Sequence, residues 1–265
     1  MTSSSDAGAR LPIASLIKSL RVLEELALSG GNASVADLIE RSGLERTTVQ
    51  RVLRTLQAES YIERTARGEY SVAARGYVLG AMLAGSNHLT SAATPVLTDL
   101  QKKTAETVHL GVLGGTDAVS IAYYPSGRIL SFTFPMGTRI PAYASTLGRA
   151  ILAHVPTETA IDVLQRSDRK ALTRETLTSM KDLRRELERV RGQGYCAGAD
   201  EVELGIASIA APVIGPTGHA LAAMNNVMPN LHLEERGGKD AFLPDLLAAA
   251  RKLSAQMGWT GSIPV

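Results

Sequence analysis

A chain of 265 residues is long enough for two domains, and 45% hydrophobic against 20% charged residues supplies a sizeable core, which excludes disorder over most of its length. Twenty-eight Lys and Arg against 26 Asp and Glu leave a net charge of +2, which excludes a wholly basic nucleic-acid coat but not a local DNA contact. The single cysteine, Cys196, excludes a disulfide framework and a Cys-cluster metal site, and suits a reducing compartment.

Residues 1–12 read as a disordered Ser/Gly/Ala-rich tail without the apolar stretch of a signal peptide. No apolar run reaches the roughly 18 residues of a membrane span, so a cytoplasmic protein without membrane contact is expected. Residues 13–74 read as a first domain. Leu16, Leu20, Leu23 and Leu26 recur at helical spacing over 15–29, and Ser29-Gly30-Gly31-Asn32 ends that helix. Ser34 and Asp37 fit a capping box that opens a second helix carrying Val35, Leu38 and Ile39, and Ser42-Gly43 turns the chain. A third helix follows with Val49, Val52, Leu53 and Leu56 as its buried stripe. Three short helices with Gly between the last two outline a helix-turn-helix.

Off that stripe lie Arg46, Thr47, Thr48, Gln50, Arg51 and Arg54, rich in donors and nearly free of acids. Arg pairs with guanine edges or phosphate, Gln with adenine, and Thr with phosphate or a thymine methyl, so this face suits a major groove. A merely solvated helix face is the plainer alternative. The next segment favours DNA: Tyr61–Thr65 and Tyr70–Val72 read as a hairpin with Gly68 in the turn, the wing of a winged helix. Arg67 at its tip suits a minor groove.

Residues 75–90 read as a linker helix, small and apolar, which either connects the domains or also forms a dimer contact. From 91 to 260 the pattern becomes mixed. Helices are expected over Pro95–Lys103, from near Leu147, over Glu158–Gln165, Thr178–Arg191 and Asp240–Gln256. Strands are expected over Thr107–Leu113, Ala118–Tyr124, Ile129–Phe134, Ile206–Val213 and Ala220–Val227. Antiparallel strands with helices on one face imply an α+β fold.

Taken together these motifs resemble the IclR family of bacterial transcription regulators. Ala36–Ile39, Gly43-Leu44 and Thr47–Leu56 match its N-terminal pattern. Gly137–Ala153, Arg191 with Gly194-Tyr195, Gly205 with Ile209–Val213, and Gly218 with Ala222-Ala223 match its C-terminal half. Met136–Arg139 with Tyr143 and Gly148-Arg149 looks most like the regulators of protocatechuate and 4-hydroxybenzoate breakdown, the β-ketoadipate route. The resemblance implies a GAF-like effector domain, operator DNA and a small organic acid as partners, a homodimer or tetramer, and no cofactor.

Ser145-Thr146 precedes a helix whose free N–H groups suit an anion, or simply receive an N-cap. Carried over by motif, the effector pocket is implied to comprise Ile129, Phe132, Thr146, Leu147, Gly198, Ile206, Ser208, Asn225 and Val227. Gly198 stands where other members carry an acid, which implies a less negative pocket. Arg139 is a candidate counter-ion or a surface residue, and His109 either faces the pocket or sits in the core or on the surface. An enzyme acting on aromatic acids is poorly supported, because no Gly-x-Ser-x-Gly elbow, His-Glu-x-x-His or P-loop occurs. Regulation through another small acid, such as glyoxylate, stays open at this level.

Overall fold

The computed structural model describes residues 12–85, 88–128, 132 and 134–261. The chain divides into two compact units, Met1–Ser86 and Asn87–Val265.

In the first unit, α1 (Ala14–Leu28), α2 (Val35–Ser42) and α3 (Arg46–Ala58) precede a hairpin of β2 (Ile62–Arg64) and β3 (Tyr70–Val72). The capping box forms as expected: Asp37 N donates to Ser34 Oγ at 3.2 Å, and Ser34 N donates to Asp37 Oδ2 at 3.0 Å. Gly43 closes α2 in the left-handed region, at φ 65°, and so permits the sharp turn into α3. A strand not expected from the sequence, β1 (Asn32–Ala33), begins on the last residue of the expected turn, pairs with β3 and makes the wing three-stranded, in the order β1-β3-β2.

The core of this unit is Val22, Leu26, Leu38, Val49, Leu53 and Ile62 with their neighbours. The leucine stripe expected on α1 is only half correct. Leu26 is buried and Leu23 half-buried, but Leu16 and Leu20 are 53% and 50% exposed, beside exposed Ile13 and Ile17. Helical spacing identifies a face, but not how much of it the rest of the unit covers. α4 (Ala74–Gly85) follows the wing. Arg75 ties its start to Glu59 at 3.2 Å and lies over the Tyr61 ring, 4.8 Å from its centre.

The second unit is an α+β layer structure. Its six-stranded antiparallel sheet runs in the order β6-β5-β4-β9-β8-β7. These strands are β4 (Thr107–Gly114), β5 (Asp117–Tyr124), β6 (Arg139–Pro141), β7 (Cys196–Ala199), β8 (Ile206–Ile214) and β9 (Ala220–Pro229). The helices are α5 (His88–Thr104), α6 (Thr146–Leu152), α7 (Thr157–Arg166), α8 (Met180–Gln193), α9 (Asn230–Glu235) and α10 (Leu243–Gln256). The expectation of helices on one face is corrected. Val108, Leu110, Ile209, Ala211 and Met224 pack on α5 and α10, whereas Ala118, Ala210 and Ala223 pack on the layer of α6, α7 and α8. Both faces are covered, so the central strands show little polar alternation.

Three other boundaries differ. α5 begins at His88, with Pro95 inside it on its exposed face, although proline is normally a start signal. β6 and β7, only three and four residues long, have no counterpart among the expected strands. Of the expected strand Ile129–Phe134, residues 129–131 and 133 lie outside the described residues, and Phe132 and Phe134 are not in a strand. Among the described residues no helix is long and apolar enough to cross a membrane.

Candidate functional site

Two surfaces merit attention, one in each unit. On α3, burying Val49, Val52 and Leu53 turns the opposite face outward. Arg46, Thr47, Arg51 and Arg54 are exposed, and Thr48 and Gln50 half-buried. Arg67 is exposed in the hairpin turn, where Gly68 adopts φ 83°. None of these four arginine side chains takes part in an ion pair or hydrogen bond with the described residues, unlike Arg75 and Arg64 nearby. Fully hydrated guanidinium groups with no internal partner are what an anionic ligand meets first.

In the second unit a cavity opens between the sheet and α6. Its interior leaves about 60 Å³ to the centres of water molecules, room for several side by side. The walls come from strand residues of one parity, including Ala118 and Ser120 on β5, His109 on β4, Ser208 on β8, and Asn225 and Val227 on β9. Thr146 and Leu147 at the start of α6 close it.

Of the nine pocket residues implied by motif, Thr146, Leu147, Gly198, Ile206, Ser208, Asn225 and Val227 border this cavity together. Ile129 lies outside the described residues. Phe132 is half-buried but borders nothing here; Phe134, two positions on, supplies the aromatic wall, 5.9 Å from the His109 ring.

The polar groups form short chains. Asn225 Nδ2 donates to Ser208 Oγ at 2.8 Å, and Ser208 Oγ lies 2.7 Å from Thr146 Oγ1. His109 Nδ1 lies 3.3 Å from Ser120 Oγ. Burial pushes the His109 imidazole down to about 4, so it is neutral at physiological pH. Ser145 caps α6 by accepting from Gly148 N at 3.0 Å, and that helix is only seven residues long. The capping alternative therefore accounts for Ser145.

Gly198 carries the least expected result. A Cβ there would collide with Glu201 Oε2, so the space a side chain would take is filled by the Glu201 carboxylate. Glu201 borders the cavity, and an acid is present after all. Its charge is countered by fully buried Arg149, whose Nη1 donates to Glu201 Oε1 at 2.8 Å and whose Nη2 donates to Oε2. Arg149 Nε donates to Cys196 Sγ at 3.4 Å. Burial raises the Cys196 thiol, so it stays protonated and inert. Arg139 is no counter-ion to the cavity: it is half exposed, pairing with Asp117 at 3.1 Å and donating to Gly114 O at 2.7 Å.

His109 was left open because strand register, not spacing, decides which side it faces, and Glu201 and Phe134 were missed because they stand outside the strands, in segments whose path the sequence does not set. Among the described residues no cluster of His, Cys, Asp and Glu is arranged to hold a metal.

A winged helix-turn-helix unit joined to an α+β unit with a small-molecule-sized cavity defines a class, the two-domain DNA-binding regulators. The chain belongs to the IclR family: residues 15–66 match the IclR helix-turn-helix domain, and residues 81–255 match the bacterial transcriptional regulator IclR C-terminal region. It is 32% identical over 249 residues to the Pca regulon regulatory protein of Pseudomonas putida, covering 92% of this chain and 84% of that protein. It is 29% identical over 246 residues to the p-hydroxybenzoate hydroxylase transcriptional activator of Acinetobacter baylyi, covering 91% and 90%. Among solved structures, an IclR transcriptional regulator from Alicyclobacillus acidocaldarius superimposes with a TM-score of 0.83 at 26% identity, covering 94% of this chain and 100% of that one. The chain is a DNA-binding transcriptional regulator of the IclR type, not an enzyme.

Proposed function

We propose that this regulator controls the breakdown of aromatic acids of the protocatechuate/β-ketoadipate type, with a small aromatic acid as its effector. The single observation that carries the reading is the cavity. Its walls are apolar at Phe134, Ile140, Leu147, Ile206 and Val227, and interrupted by polar groups that include His109, Thr146, Ser208, Asn225 and the Arg149-paired Glu201. A flat ring with polar substituents suits such a surface better than a two-carbon acid. The relatives named above from Pseudomonas and Acinetobacter support the pathway assignment.

In this reading Arg46, Thr47, Thr48, Gln50, Arg51 and Arg54 contact operator DNA in the major groove, and Arg67 in the minor groove. The protein acts as a homo-oligomer. Exposed Tyr77, Val78 and Met82 on α4, at 65%, 55% and 67%, support a contact between copies there. The effector changes the placement of two DNA-reading heads by binding one arrangement better than another. A cytoplasmic location goes with this role.

Thermal melting with protocatechuate, 4-hydroxybenzoate, β-ketoadipate and glyoxylate tests it. The aromatic acids are expected to stabilise the folded chain by mass action, by about 2.7 kcal/mol at a hundredfold excess over the dissociation constant, and so to raise the melting point. Stabilisation by glyoxylate alone, or chemical turnover of a bound acid, would overturn the proposal.

A further inference from the structure

The first two turns of α1 reverse the usual order of a surface helix, whose apolar side turns inward. Val22 and Leu26 mark its buried side, and steps of three or four residues carry that side back to Ser19, Lys18 and Ser15. Ile17 and Leu20, on the opposite side of the helix, are half exposed. The three polar residues line an open groove whose other wall is the flank of α3, at Thr48, Arg51 and Thr55. None of the described residues lining it is acidic.

Ser19 and Thr55 give their hydroxyl protons to carbonyl oxygens of their own helices, Ser15 O at 2.9 Å and Arg51 O at 3.0 Å. The Lys18 ammonium, the Arg51 guanidinium and the Ser15 and Thr48 hydroxyls have no such partner among the described residues. Two cations and two free hydroxyls with no acid between them suit an anion. Position says which anion, because Arg51 belongs to the groove and to the outward face of α3 alike. A helix seated in a major groove about 12 Å wide has a phosphate strand along each flank. A second helix packed at about 8–10 Å from it stands over one of those strands.

We propose that the groove between α1 and α3 holds the DNA backbone, with Lys18 paired to a phosphate whose oxygens accept from Ser15 and Thr48. The proposal rests on α3 lying in the major groove. It adds a second helix to the DNA contact, and a contact blind to base sequence.

Fluorescence anisotropy of the full chain with labelled upstream DNA and an unrelated duplex of equal length, over a range of salt concentrations, tests it. Lys18→Ala is expected to flatten the dependence of log affinity on log salt by about 0.9 per DNA-reading head. Near 0.1 M salt that is a loss of roughly eightfold per head, and it is the same on both duplexes. Lys18→Arg keeps the cation and keeps the slope. Lys18 is exposed, so the melting point of the alanine variant stays that of the parent. Ser15→Asp sets a carboxylate in the groove without touching Lys18, and is expected to weaken both duplexes at least as much.

An unchanged salt slope in Lys18→Ala overturns the proposal, and so does a loss confined to the upstream duplex. If Arg51→Ala weakens binding while Lys18→Ala does not, the groove falls and α3 stands as the reading helix. If neither variant weakens it, both fall. Sedimentation gives the remaining outcome: an oligomer dissociated by Lys18→Ala assigns the groove to a second copy and overturns the proposal.

Discussion

Arg51→Ala is expected to weaken operator binding by about 1–3 kcal/mol for each DNA-reading head, and roughly twice that when two heads share one operator. Arg51 stands on the outward face of α3, exposed and with no ion pair or hydrogen bond from its guanidinium among the described residues. Removing it therefore leaves the fold alone: the change in melting stability should stay within about 0.5 kcal/mol. Effector binding should persist, because Arg51 belongs to the other unit. The measurement is fluorescence anisotropy of labelled upstream DNA at fixed salt, since phosphate contacts make every affinity salt-dependent. Unchanged affinity in the variant would sink the assignment of α3 as the reading helix.

Glu201→Ala should cost the effector domain about 3–5 kcal/mol. The reason lies in Arg149, which is fully buried and held by Glu201 and Cys196. Burial opposes its charge, and those partners more than offset the opposition, so the guanidinium remains protonated. Deleting the carboxylate leaves that charge in the core with only a thiol for company. Urea denaturation followed by far-ultraviolet circular dichroism reads the loss. Glu201→Gln, which keeps the size and one acceptor, should fall between the two proteins. A Glu201→Ala stability within about 1 kcal/mol of the parent would show that the pair contributes little. A Cβ at position 198 would meet the Glu201 carboxylate, so a side chain there requires that carboxylate to shift.

The DNA-binding unit was largely legible in the sequence because its signals are local. Ser34 and Asp37 cap one helix, Gly43 turns the chain, and Gly68 turns the hairpin, each within a few residues of what it controls. The error on α1 arose where locality ended: Leu16 and Leu20 have the right spacing, but exposure depends on how much of the face the rest of the unit covers. The effector domain was harder. With helices on both faces, β4, β8 and β9 are buried over most of their length, so His109 gave no sign of which side it faced. That became visible only once the register set it opposite Asn225.

Family motifs carried the cavity further than periodicity did, bringing Thr146, Ser208 and Asn225 together across 62 and 17 residues of sequence. They failed at Phe132, where the cavity is bordered by Phe134 instead. They also missed Glu201, whose carboxylate reaches back three positions to occupy the place of an absent Gly198 side chain. Nor did net charge help: residues 1–90 carry ten basic and nine acidic side chains, so the DNA-binding half differs in where its arginines stand, not in their excess.

Coupling between a cavity in one unit and DNA held by the other is tested most directly by the effect of a bound aromatic acid on operator affinity. With the cavity saturated, the operator dissociation constant should change by roughly 5- to 150-fold, a coupling of about 1–3 kcal/mol, while affinity for unrelated DNA stays the same. An operator affinity that is identical with and without a demonstrably bound acid would contradict it.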